Sequence, residues 1–150
     1  MNNFTTALSS VLLRDLDKLE KEILLYPNPQ SIWAIKGEIK NSAGNLCLHL
    51  CGNLQYFIGT ILGNTGYVRD REKEFSLKDL PTAELVRQIT QTKTSVNQTL
   101  PSLDEHILAM DYPVVVFDGP MNTQYFLLHL AGHLNYHLGQ INYHRRLTAS

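Results

Sequence analysis

The 150-residue chain has little excess charge of either sign: 13 Lys and Arg stand against 14 Asp and Glu, for a formal charge of −1. No basic stripe is available to neutralise phosphates, so a nucleic-acid partner is not expected. Long hydrophobic runs are also missing. None reaches the roughly 18 residues of a bilayer span, and no membrane partner is expected. Met1-Asn2-Asn3-Phe4 lacks the basic start and apolar stretch of a secretory signal. Cysteine is scarce. Cys47 and Cys51, four apart, make no disulfide framework, and a cytoplasmic, reducing setting is the expectation. There is no internal repeat, and no Asp or Glu stands out as a general base. At this length one domain, residues 1–150, is expected, with room for a sizeable core.

What the chain does have is histidine at helical spacing. Of six histidines, His129, His133, His137 and His144 fall in one segment near the C-terminus. Each i,i+4 step turns about 40° and climbs about 6 Å, so such residues share a helix face. Neutral imidazole is the commonest protein metal ligand, and two rings on successive turns can grip one ion.

The apolar pattern predicts four long helices. Leu8, Leu12, Leu16, Leu19 and Ile23 form the inner stripe of a helix over 3–25, with Arg14, Asp15, Lys18 and Glu22 mostly off it. Pro27 and Pro29 end it. A connection over 26–40 holds Trp33 and Gly37. A second helix, about 41–62, is apolar nearly all round and therefore buried on most sides. Gly63 and Gly66 close it. Arg69 to Glu74 is polar and of mixed sign and reads as a solvated crossover. Thr82 is the expected cap of a third helix, with Leu85, Ile89, Thr92, Val96 and Leu100 inward, ended or kinked by Pro101. Residues 111–121 read as an extended excursion, and Asn122 or Thr123 caps a last helix over about 123–147. The pattern predicts an all-α four-helix bundle with long crossover connections.

Two histidines on one helix need a third ligand from a facing helix, and bundle cores build sites that way. The candidate is His49, alone in the apolar second helix, where the ordinary alternative is a hydrogen-bonded core histidine. His129 could be a fourth ligand, a pocket wall or a core residue. His144 lies two turns past His137 and reads as surface or as support behind the site, and His106 as solvated. In a helix Cys47 and Cys51 each lie about 200° from His49, so both point away from an ion there. Gln140 and Asn53 can reach the site's neighbourhood, where an amide could orient a ligand imidazole. Trp33, Tyr136 and Tyr143 could border a pocket or simply pack. The spacing His133-x-x-x-His137 also occurs in zinc proteases, but residue 134 is leucine where those enzymes need glutamate, which excludes that chemistry.

His133-Leu-Asn-Tyr-His137-Leu-Gly-Gln140-Ile141, followed by Tyr143 and Arg145-Arg146-Leu147, resembles the last-helix signature of DinB-like proteins, His-x-x-x-His often followed by Arg-Gly-Gln. Asn45-Leu-Cys-Leu-His49-Leu-Cys-Gly-Asn53 is similar to the segment carrying that family's first histidine. Its His-Leu-x-Gly-Asn form resembles a less studied subgroup. The resemblance covers nearly the whole chain in helix order, and these two segments are its specific part. Leu138 stands where many relatives carry Arg. The resemblance implies an up-down-down-up bundle and a divalent metal held by His49, His133 and His137, with positions left open for water. It also implies a homodimer, and in some relatives the use of low-molecular-weight thiols such as mycothiol or bacillithiol.

Three imidazoles with open positions suit a Lewis-acid site rather than a closed structural one, which is usually four-coordinate and thiolate-rich. Zinc or nickel is the expected ion, with iron or manganese next. The functional expectation is a metal-dependent thiol transferase or hydrolase acting on a small molecule. The alternative is a metal-binding, stress-associated dimeric protein without turnover.

Overall fold

A computed structural model describes residues 2–148, and every regular element among them is helical. Helix α1 runs Asn3–Leu24, α2 Ala43–Leu54, α3 Arg71–Ser76, α4 Thr82–Thr99, α5 Glu105–Ala109 and α6 Thr123–Thr148. The four long helices are α1, α2, α4 and α6, as the apolar periodicity predicts. The second helix continues past Leu54 as a π-helical stretch over Gln55–Thr60.

Helix ends follow local chemistry. The Asn2 side chain accepts from the Thr5 amide at 2.8 Å, and Ser42 Oγ accepts from the Asn45 amide at 3.1 Å, each satisfying an amide with no partner inside its helix. Asn122 Oδ1 accepts from the Tyr125 amide at 2.7 Å and so caps α6. Thr82 does not act as a cap: Pro81 holds the cap position of α4, and Thr82 is the first helical residue.

Pairwise contacts give the helix directions. Asp15 meets Asn135, and Glu22 meets Asn142 and Arg145, so α1 and α6 run the same way. His49 meets His133 while the Phe57 ring, just past α2, sits edge-on to Phe126, so α2 runs against α6. Gly59 faces Ser95 and Gly63 faces Thr99, so α4 runs with α2. This is the up-down-down-up order. The long connections carry α3 between α2 and α4, and α5 between α4 and α6. The excursion before α6 is extended as expected, closed by the Tyr112 amide donating to Met121 O at 2.8 Å.

The core is one contiguous apolar cluster built from the inner stripes of all four long helices. Leu12, Leu16, Leu19, Leu50, Leu54, Leu85, Ile89 and Phe126 are fully buried. Each such side chain contributes about 1.5–3 kcal/mol by leaving water. All of α2 is buried, so it is the central helix, and whatever α2 aims at α6 is held in a fixed frame. Two polar side chains depart from the expected pattern. Asp15 is buried, tied to Arg14 Nε at 2.8 Å and Asn135 Nδ2 at 3.1 Å, rather than lying off the stripe. Glu74 is buried too, although its segment reads as solvated.

Candidate metal centre

The antiparallel packing of α2 on α6 sets His49 opposite two successive turns of α6. The His49 ring lies 5.0 Å from the His133 ring and 5.5 Å from that of His137, centroid to centroid. His133 and His137, one turn apart, are separated by 4.6 Å. One ligand atom from each of the three lies within 4.8 Å of the others. The sequence-predicted triad is therefore brought together from its two separate segments.

Two hydrogen bonds assign the tautomers. His49 Nδ1 lies 3.0 Å from Glu74 Oε1, so Nδ1 carries the proton and Nε2 presents its lone pair. His137 Nδ1 likewise donates to Gln140 Oε1 at 2.7 Å, leaving its Nε2 lone pair free. His49 Nε2 and His133 Nε2 are 3.2 Å apart. Two imidazoles on a tetrahedral zinc, with Zn–N of about 2.0–2.1 Å, hold their nitrogens about 3.3 Å apart. The spacing of this pair fits two rings sharing one ion, and equally one ring's N–H donating to the other's lone pair.

The surroundings of His133 and His137 favour the neutral ring, the form that metal ligation requires. Burial pushes His133 down to about 3, helped by the neighbouring His137, His49, His129 and Arg69. Burial also lowers His137, partly opposed by its hydrogen bond to Gln140. His133 Nδ1 is buried without a hydrogen-bond partner among the described residues. Three converging imidazoles are a donor set suited to a divalent ion.

Glu74 is the site residue that sequence reasoning missed. It accepts from Arg69 Nε at 2.9 Å and from Arg69 Nη2 at 3.0 Å while holding His49. Its helix is fastened to α2 by Asn45, whose Nδ2 donates to Glu74 O at 2.9 Å and to Leu77 O at 2.8 Å. Gly52 makes the approach possible. A Cβ there would meet Glu74 Cδ at 2.6 Å, closer than atoms pack, so only glycine leaves room for the carboxylate beside His49. A glycine inside a buried helix was the available signal of a close approach at this point.

Clefts open on both sides of the triad. One, of about 250 Å³, is lined by His49, His133, Asn53 and His129 among others. The other, of about 530 Å³, is lined by His137, Gln140, Tyr136 and Tyr143 among others. Gln140, Asn53 and the two tyrosines thus stand where the sequence suggests. Trp33 does not line either cleft; it packs on Gly44, where a Cβ would meet its ring at 2.6 Å. His129 is an exposed cleft wall, its ring 6.2 Å from His133, and it stands outside the triad. His144 is not at the surface; it lines the larger cleft beside His137 but makes no hydrogen bond to the triad. It is buried, with Nδ1 2.6 Å from Tyr26 Oη and Nε2 donating to Ala34 O at 2.8 Å, and it ties the end of α1 and its following loop to α6. His106 is exposed. Cys47 and Cys51 are free and fully buried, and hydrogen bonding with Cys51 together with burial raises the Cys47 thiol well above its usual range.

Among the described residues no helix is long and apolar enough to cross a membrane. No curated protein matches the chain. The model of the DinB superfamily matches residues 11–141, a stretch that contains all four long helices' cores and the three converging histidines. On the helical bundle and that match, the chain belongs to the DinB superfamily.

Proposed function

We propose that His49, His133 and His137 hold one divalent metal ion and that the site is catalytic, a thiol transferase or hydrolase acting on a small molecule. The observation that carries this reading is the 3.2 Å approach of His49 Nε2 to His133 Nε2 with His137 beside them. A bound ion would supply Lewis acidity to an activated nucleophile or a polarised substrate oxygen. The protein's own part is orientation. Glu74 fixes His49, Gln140 fixes His137, and such partners tune both ring angle and ligand basicity. The two clefts favour an enzyme over a closed structural site, since a substrate can reach the triad from either side.

Zinc or nickel suits three imidazoles, with iron or manganese as further candidates. A low-molecular-weight thiol fits the larger cleft, where Tyr136, Gln140 and Tyr143 surround His137. A homodimer is part of the same reading. Tyr125, Leu128, Tyr136, Tyr143 and Leu147 leave an exposed apolar face along α6, and Gly132 and Gly139 leave open space within it. The proposed setting is the cytoplasm.

The test is elemental analysis of the purified protein followed by an activity screen with low-molecular-weight thiols on the metal-loaded form. About one ion per chain with thiol-dependent turnover supports the enzyme. One ion per chain with no turnover across that screen favours the alternative, a metal-binding dimer. Protein that takes up no divalent ion removes both.

A further inference from the structure

The cleft on the His49 and His133 side has a lining that metal ligation leaves unused. Its volume, about 250 Å³, equals that of about eight waters in the liquid and is below the roughly 300–1,000 Å³ of sites for drug-sized ligands. It admits a small molecule.

Its lining contains Arg69 and Arg71 and no Asp or Glu. Arg69 is already engaged, because its Nε and Nη2 donate to Glu74 and Nη2 also lies 3.5 Å from His49 Nδ1. Arg71 is not: among the described residues it has no ion-pair partner. Its guanidinium sits 5.2 Å over the Phe75 ring, which is itself 4.9 Å from the His49 ring. Asn53 supplies an independent observation. Its side chain lines the same cleft, the residue is only 7% exposed, and Oδ1 has no hydrogen-bond partner among the described residues. A buried amide with unused hydrogen-bonding capacity is costly unless something polar meets it. The remaining wall is aromatic, with Phe57 and Phe117 set edge-on to Phe126 at 5.0 and 6.2 Å.

We propose that this cleft binds a small monocarboxylate with an apolar body. The carboxylate pairs with Arg71, the body lies against the phenylalanines, and a hydroxyl or amine at the far end donates to Asn53 Oδ1 beside the His49–His133 edge. A guanidinium matches a carboxylate bidentately, and the apolar wall takes up the ligand's body. The proposal names the substrate class of the site described above and rests on that reading for its catalytic meaning, but binding of the anion does not require the metal.

The experiment is an NMR titration with benzoate and with benzamide, its neutral counterpart, in both metal-loaded and chelator-treated protein. Benzoate should bind at least tenfold tighter than benzamide in both forms. Arg71→Gln, a change at an exposed side chain, should remove at least tenfold of the benzoate affinity while the helical circular dichroism is unchanged, and Arg71→Lys should keep part of it. Equal binding of benzoate and benzamide, or an unaffected Arg71→Gln variant, overturns the proposal. Benzoate that binds only metal-loaded protein, and without regard to Arg71, is a metal ligand; that result overturns the proposal and leaves the metal site standing. Arg71-dependent binding in a protein that takes up no ion supports the proposal and removes the metal reading.

Discussion

Gly52 and Glu74 occupy one space: the carboxylate that orients His49 lies where a Cβ on residue 52 would stand. The glycine of the His49-Leu-Cys-Gly-Asn53 run is therefore a site residue without a side chain. Gly52→Ala should push Glu74 away from His49. Ala favours a helix by about 0.8–1.0 kcal/mol over Gly, so α2 itself should not suffer from the change. The expected result is weaker metal binding with helical content retained. Metal affinity equal to the parent's would show that the carboxylate does not govern His49.

Removing the carboxylate should act more strongly. Glu74→Ala leaves the largely buried Arg69 without its partner, and breaking a buried pair costs about 3–5 kcal/mol. For a chain of this size each kcal/mol lowers the melting temperature by about 2–4 °C. Glu74→Gln keeps an acceptor for His49 and should lose about 10–100-fold in metal affinity with a smaller melting shift. Calorimetry of both variants, with and without metal, separates the two effects.

Acid should destabilise the fold through His133. Its folded value is depressed to about 3, against about 6.5 when unfolded. Between those values the unfolded chain binds more protons than the folded one. Stability therefore rises with pH across this window, is complete above about 6.5, and is lost progressively as pH falls toward 3. Bound metal adds a second, steeper loss as protons displace it from the ligands. A chelator at pH 7 should lower the melting temperature yet leave the helical circular dichroism, because the apolar core does not depend on the site. Complete unfolding by chelator at room temperature would make the metal structural.

His144 should behave as a tie and nothing more. Replacing it by Leu leaves Tyr26 Oη and Ala34 O without their partner, at a cost of about 1–3 kcal/mol. Thermal melting should record that loss while metal content stays at the parent's level. A His144→Leu variant with reduced metal would place His144 back among the residues that govern the centre.

The contrast between His49 and Glu74 marks what was legible in the sequence. The four long helices, their order and the triad could be read because apolar stripes and histidine spacing repeat at the helical period, and because both histidine segments carry a family signature. Glu74, Asp15 and His144 could not be read that way. Their burial depends on partners far along the chain: His49 lies 25 residues from Glu74, Asn135 lies 120 from Asp15, and Tyr26 lies 118 from His144. A polar residue's periodicity carries no sign of such a partner. The short helices α3 and α5 escaped for a related reason, since five or six residues are too few to display a stripe.

The most direct test is the metal-to-protein ratio of the parent and of the His49→Ala, His133→Ala, His137→Ala and His129→Ala variants. All five are purified identically and measured by elemental analysis. The account predicts about one divalent ion per chain in the parent, sharply reduced occupancy in each of the three triad variants, and little change in His129→Ala, because three ligands are the minimum for a site of this type. A His49→Ala protein that holds as much metal as the parent would contradict it.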